Sequence, residues 1–104
     1  MLTRPTPAQA MARLRLDADL IADLPDAIEQ AHAATVTFLD GALYDDANTL
    51  HTAQDPRGIV CTPDIIAAQL LLVDALVGNN SLQDRQDKRT AAINMLRPHR
   101  NAGT

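Results

Sequence analysis

The sequence has almost no aromatic side chains: Phe38 and Tyr44 are the only two, and tryptophan is absent. It therefore offers no aromatic platform on which single-stranded bases could stack. Alanine, by contrast, occurs 18 times. Ala and Leu are the strongest helix formers, and few stretches show the period-two alternation of a half-buried strand. The composition favours closely packed helices over a sheet.

Groups that usually carry chemistry are also scarce. Cys61 is the only cysteine, which excludes an internal disulfide. Because its neighbours are apolar, we expect Cys61 to be a small, buried, apolar side chain. The four glycines are isolated, so no phosphate-binding loop is present. His32, His51 and His99 lie far apart, and neither zinc-ligand spacing nor the calcium-loop pattern occurs. We expect no catalysis, no cofactor and no metal.

Basic residues are few in the body of the chain. The net charge of −4 divides into −7 over residues 1–80 and +3 over residues 81–104. An acidic body argues against general nucleic-acid binding, which requires several phosphate-neutralising cations. The basic end is either a docking segment for an acidic partner or a solvated helix face with a frayed tail. Its cations are Arg85, Lys88, Arg89, Arg97 and Arg100.

The 104 residues predict one domain (1–104) with a modest core that a stable oligomer would supplement. No apolar signal-peptide region occurs at the N-terminus, so we expect a soluble protein that is cytoplasmic when made. Residues 97–104 are expected to form a partly disordered tail.

The stretch 62–79 is the most apolar part of the chain and predicts a central helix. Thr62 suits the N-cap, Pro63 the first helical position, and Gly78 the end. The apolar run is too short to span a bilayer. Gln69 and Asp74 interrupt it and should mark its wettest or most inter-subunit side. The expected core residues of this helix are Ile65, Leu70, Leu72 and Leu76.

Two helices are expected before this stretch. The first begins at a Thr6 cap and runs to about Leu14. The second begins at Asp17 or Asp19 and ends at Asp40-Gly41, with a kink or a new start at Leu24–Pro25. Its apolar stripe consists of Leu20, Ile21, Leu24, Ile28, Ala31, Thr35 and Phe38.

The remaining segments are less regular. Residues 40–62 predict a long loop, with a short hairpin of Ala42–Tyr44 against Ile59–Cys61. After a Ser81 cap, the polar stretch Ser81–Arg89 predicts either an exposed helix or a connector that a partner orders. Thr90 would cap a last short helix. The expected fold class is all-α: a small bundle of about four helices with a long loop between the second and third.

Three stretches together resemble the head–tail connector (adaptor) proteins of long-tailed bacteriophages. They are LRLDADLIADLPDAIEQAHAATVTFL, TPDIIAAQLLLVDALVGNN and MLRPHR, in the order and spacing of that family. The matching positions are Leu14, Arg15, Leu16, Asp17, Leu20, Ile21, Ala31, Leu39, Pro63, Ile65, Ala68, Leu70, Leu71, Leu72, Asn79, Met95, Leu96, Pro98 and Arg100.

The resemblance implies an all-helical structural subunit without catalysis. Such subunits form a ring, typically a dodecamer, beneath the portal protein in the virion. The ring extends the DNA channel and receives head-closure (stopper) or tail proteins, and DNA passes through without sequence-specific binding. Before assembly the subunit would be in the host cytoplasm, with no membrane partner.

Within this interpretation, the basic C-terminal segment is the expected portal-docking element. Arg97 and Arg100 would donate ion pairs, and Met95 and Leu96 would be apolar anchors. The 40–62 loop is a second expected interface.

The alternative function is a small helical DNA-binding protein, of the repressor or small terminase subunit type. Its best candidate for a recognition helix is the apolar stretch 62–79, which offers no Arg, Lys or Asn face to a groove.

Overall fold

The computed structural model describes residues 3–14, 22–78 and 81–101. This part of the chain contains five α-helices and a two-stranded parallel sheet of minimal length, so the fold is roughly all-α. The elements are α1 (Pro7–Leu14), α2 (Leu24–Leu39), β1 (Leu43–Tyr44), α3 (Ala47–Ala53), β2 (Ile59–Val60), α4 (Pro63–Val77) and α5 (Leu82–Leu96). None of these helices is long and apolar enough to cross a membrane.

The central element is α4, which packs against α5, α2 and α1. Pro63 is at its start and Gly78 at its end, as the sequence predicts. Thr62 occupies the N-cap position, but its hydroxyl donates to the Asp64 carboxylate and makes no capping hydrogen bond to the backbone. Thr62 is therefore the N-cap residue, as predicted, but its hydroxyl bonds a side chain instead of a backbone N–H.

The core consists of two clusters along α4. Toward α1 and the first half of α2, the buried residues are Ala10, Leu24, Ala27, Ile28, Ala31, Leu70 and Val73. Toward α5 and the end of α2, they are Leu39, Leu43, Cys61, Ile65, Ala68, Ala92 and Leu96. Ile66 and Leu72 of α4 pack against both clusters. Alanines at these contacts let the helix backbones approach closely, which explains how a core without buried large aromatics can be filled.

Helix α2 begins at Leu24, with Pro25 in its first turn, where a proline is tolerated. The expected new start at Leu24–Pro25 is confirmed, whereas an earlier start at Asp17 or Asp19 lies outside the described residues. The helix ends where Asp40 takes a left-handed conformation (φ 57°), as the Asp40-Gly41 pair predicts. Local proline and cap chemistry determine both boundaries.

Helix α5 corrects the expectation of two separate elements after Ser81. It is one continuous helix, and Thr90 lies inside it rather than capping a new one. Ser81 and Asp84 form a capping box: the Ser81 hydroxyl accepts from the Asp84 N–H at 3.1 Å, and the Asp84 carboxylate accepts from the Ser81 N–H at 3.4 Å. Neither Pro nor Gly follows before residue 98, so nothing in the chain stops the helix at Thr90.

The segment 40–62 is more regular than the long loop that the sequence predicts. It contains the helix α3, and β1 pairs with β2 in parallel, with Leu43 beside Ile59 and Tyr44 beside Val60. The expected pairing of these two stretches is correct, but the antiparallel hairpin is wrong. A parallel pair requires a crossover connection of about a dozen residues, usually helical, and α3 lies in that connection.

The segment after α5 is bound to the body through residue 101. Arg97–His99 forms a 3-10 turn. The Asn101 N–H donates to the Leu39 carbonyl at 2.9 Å. The partly disordered tail expected at 97–104 stays a prediction; the structure places residues 97–101 in contact with the end of α2. Residues 102–104 lie outside the described part.

We predict that Gly41→Ala destabilises the fold. A Cβ at this position would lie 2.1 Å from the Arg57 carbonyl oxygen and 2.6 Å from the Asn101 amide nitrogen. Relieving such crowding costs about 1–3 kcal/mol of unfolding free energy, measurable by urea denaturation followed by circular dichroism. The control Ala42→Ser enlarges an exposed neighbour and should change stability by less than about 0.5 kcal/mol. Equal stability of G41A and wild type would contradict the close approach.

Candidate interaction surfaces

The described residues offer no assembled site for metal or nucleophilic chemistry. No group of three or more potential metal-ligating side chains occurs among them. Cys61 is 3% exposed, and burial raises the pKa of its thiol to about 11. A thiol in that state is almost wholly protonated at neutral pH and is a poor nucleophile. Cys61 therefore behaves as the buried hydrophobe that its neighbours predict.

A polar network crosses the interface between α2 and α4. Gln69 is fully buried, and its Nε2 donates to the Thr3 carbonyl at 2.9 Å. The His32 Nδ1–H donates to Gln69 Oε1 at 3.3 Å. Burial, and then the positive charge of Arg4, lower the pKa of His32. The expectation that Gln69 marks the wettest or most inter-subunit side of the helix is wrong, because both ends of its amide are satisfied inside the subunit.

A protruding lobe is formed by residues 43–60. None of the seven residues of α3 is buried. The lobe is held by an N-cap, in which Asp46 Oδ1 accepts from the Thr49 N–H at 2.7 Å, and by the Tyr44 hydroxyl, which donates to Asp55 at 2.9 Å. Gly58 lies against Leu50 and the Tyr44 ring, so that a Cβ there would be 2.2 Å from Leu50. The lobe is thus held by its own contacts; Leu43 and Ile59 join it to the core, whereas α3 buries no residue.

The lobe meets the C-terminal segment at one corner of the molecule. The Asn101 side-chain amide donates to the carbonyls of Asp40 and Arg57, each at 2.8 Å. The Arg57 guanidinium forms an ion pair with the Asp40 carboxylate. Arg100 Nε donates to the Phe38 carbonyl at 2.9 Å, and its guanidinium lies 5.2 Å from the centre of the Phe38 ring. These contacts fix the segment 97–101 against the end of α2.

The four expected docking residues have different environments. Arg97 and Arg100 are exposed, and Met95 is partly buried. Leu96 is 1% exposed and belongs to the core beside Ile65. The expected use of Leu96 as an apolar anchor is therefore corrected: a partner could reach it only if α5 were displaced from α4.

The expected core residues of α4 also differ from one another. Ile65 and Leu70 are buried, and Leu72 is partly buried. Leu76 is 48% exposed, which corrects its assignment to the core. Asp74 is partly buried and forms an ion pair with Lys88 of α5 at 2.7 Å, so it is neither fully buried nor unpaired.

Leu76 lies at the centre of a surface that the sequence reasoning missed. One hollow, of about 490 Å³, lies between α2, α4 and α5, and a second adjoins it at the start of α2. Gln30 and Leu76 line both hollows. We call this surface the mixed-charge face; it comprises Asp23, Asp26, Gln30, Ala34, Ala75, Leu76, Leu82, Arg85 and Arg89. The only signal in the sequence is the pair Leu76 and Leu82, which lie on either side of the predicted helix end at Gly78 and the predicted cap at Ser81.

No protein-family model, curated protein or solved structure matches the chain.

The burial of His32 predicts a pH-dependent stability. Because folding lowers the pKa of His32 below its usual 6.5, the unfolded chain binds more protons between the folded and unfolded pKa values. The contribution of neutral His32 is fully present above about pH 6.5 and is lost as the pH falls through 6.5 toward the folded pKa. Urea unfolding between pH 7.5 and 5.5 should show this loss.

His32→Gln should reduce the loss over that range, while the control His51→Gln, on exposed α3, should retain it. An NMR titration that placed the pKa of His32 at or above 6.5 would contradict the buried environment.

Proposed function

We propose that this protein is a structural head–tail connector (adaptor) subunit that forms a homo-oligomeric ring beneath a phage portal. The ring would extend the DNA channel and join the head to closure or tail proteins, without catalysis and without sequence-specific DNA binding. The sequence resemblance suggests this class, and the arrangement of one end of the molecule supports it.

One observation carries the proposal: elements that add little to the core are nonetheless held in fixed positions at one corner. The helix α3 buries none of its residues, and a seven-residue helix is too short to be stable alone. It is nevertheless capped and anchored, and the segment 97–101 is bonded beside it through Asn101. A rigid exposed element that does not serve the core is best explained by contacts outside the subunit.

The charge distribution is compatible with a DNA channel. The body of the chain is acidic, so phosphates would not be gripped and DNA could slide past. Most of the exposed cations among the described residues lie after residue 81, including Arg97 and Arg100 at the bonded corner. In this proposal those two arginines bind acidic groups on the portal, and Met95 supplies a partly exposed apolar contact.

The DNA-binding alternative is less well supported. The exposed helix with the most cations is α5, but it also carries Asp84 and Asp87, and its Lys88 is bound to Asp74. A gel-shift assay with duplex DNA at low salt discriminates between the two functions. Binding that weakens steeply as salt rises would favour the alternative, whereas the connector proposal expects none.

Reversing the corner charges should weaken portal binding. In a pull-down with the proposed portal partner, R97E/R100E should bind about tenfold more weakly or worse, a change of about 1.4 kcal/mol, because two ion-pair donors become repulsive. The matched control R85E/R89E reverses the same number of charges on α5 and should bind as wild type. Circular dichroism checks that the Arg100 change leaves the fold intact. Unchanged binding by R97E/R100E would refute the docking assignment.

Replacing Ala47–Ala53 by seven Gly and Ser residues should abolish ring assembly while the body remains folded. The change removes the exposed surface of α3 but no buried side chain. Sedimentation velocity of mixtures with the portal would measure the assembly, and circular dichroism would measure the remaining helices. Intact rings formed by this variant would exclude α3 as an interface.

A further inference from the structure

The mixed-charge face has an apolar centre that the subunit leaves open. Leu76 is 48% exposed and Leu82 is 73% exposed, and both line the larger hollow. Ala34 and Ala75 also line it, so the hollow has small side chains on two of its helices. Single exposed leucines are ordinary on protein surfaces, but two that share one concave hollow are characteristic of a contact site.

The charges at the two ends of this face have opposite signs. Asp23 and Asp26 line the hollow at the start of α2, while Arg85 and Arg89 line the hollow beside α5. Arg85 and Arg89 are four residues apart on α5, so they project from the same side of the helix. Since Leu76 lines both hollows, the apolar centre lies between the acidic and the basic end.

These four charges have no ion-pair partner within the described part of the chain. Several other charged residues have one: Arg4 binds Glu29, Arg57 binds Asp40, and Lys88 binds Asp74. The mixed-charge face thus carries two unpaired acids and two unpaired bases beside its exposed leucines.

We propose that the mixed-charge face binds the same face of a second copy of this chain, related by a two-fold axis. A two-fold rotation places the acidic end of each copy against the basic end of the other and brings the Leu76 side chains together at the centre. Such an interface is self-complementary, since each contact is made twice. An acidic peptide would satisfy only Arg85 and Arg89 and would leave Asp23 and Asp26 unpaired, so a second copy fits the face better.

This pairing does not rest on the connector proposal. A two-fold contact closes on itself and uses one face, whereas a cyclic ring requires two different faces on each subunit. The helix α3 and the segment 97–101 do not line the mixed-charge face. If the two-fold dimer did not form, the portal-binding and ring-assembly experiments would still test the connector proposal independently.

Light scattering coupled to size-exclusion chromatography of the purified chain tests the pairing. At low salt we expect a mass twice the 11.2 kDa of one chain, with dissociation as salt screens the end charges. Leu76→Asp should abolish the dimer, because it buries a charge at the centre of the contact. Met11→Asp is the matched control: Met11 is 39% exposed on α1 and lines neither hollow of the face, so its variant should remain dimeric.

Charge reversal gives a sharper test. D23K/D26K makes both ends basic and R85E/R89E makes both ends acidic, so each variant alone should be monomeric. An equal mixture should recover the dimer, because each copy then meets opposite charges. The control R13E/R97E reverses two exposed charges elsewhere and should stay dimeric. Circular dichroism confirms that each variant is folded.

A monomeric wild type, a dimer that persists in folded L76D, or no dimer in the mixture would overturn the proposal. A wild-type assembly larger than a dimer that also depends on Leu76 would overturn the two-fold geometry.

Discussion

The packing of α4 against α2 and α5 is the contact on which the rest of the molecule depends. Small residues, such as Ala31, Ala68 and Ala92, are buried at the contacts and allow the backbones to approach closely. Two polar side chains, Thr35 and Gln69, are fully buried among the described residues. Each is tolerated because it is hydrogen-bonded: the Thr35 hydroxyl donates to the Ala31 carbonyl, and His32 and the Thr3 carbonyl satisfy the Gln69 amide. The same contact places the end of α5 beside the end of α2, where the corner of Asp40, Arg57 and Asn101 is assembled.

Once this core is formed, two regions remain that it does not explain. The lobe around α3 is capped and anchored but buries none of its helical residues. The mixed-charge face leaves Leu76 and Leu82 exposed between unpaired acids and bases. In the isolated subunit the apolar side chains of both regions stay in contact with water. Covering them with another protein surface would bury this apolar area and stabilise the assembly. The proposal of a subunit that acts through assembly accounts for both features together.

Features with local causes could be predicted from the sequence. The caps at Thr6 and Ser81, the prolines in the first turns and the end of α2 at Asp40 depend on neighbouring residues, and the structure confirms them. Features that depend on distant contacts could not be predicted. The burial of Gln69 could not be predicted, because the two residues that bond its amide, His32 and Thr3, lie 37 and 66 residues away in the chain. The parallel pairing of Leu43 with Ile59, the burial of Leu96 and the mixed-charge face likewise depend on how the helices pack.

The proposal that this chain is a ring-forming connector subunit is tested most directly by electron microscopy of the purified protein mixed with the proposed portal partner. The account predicts an added ring with a central hole, coaxial with the portal and built of many copies of this chain. Portal particles that remain unchanged at saturating concentrations of the folded protein would contradict it.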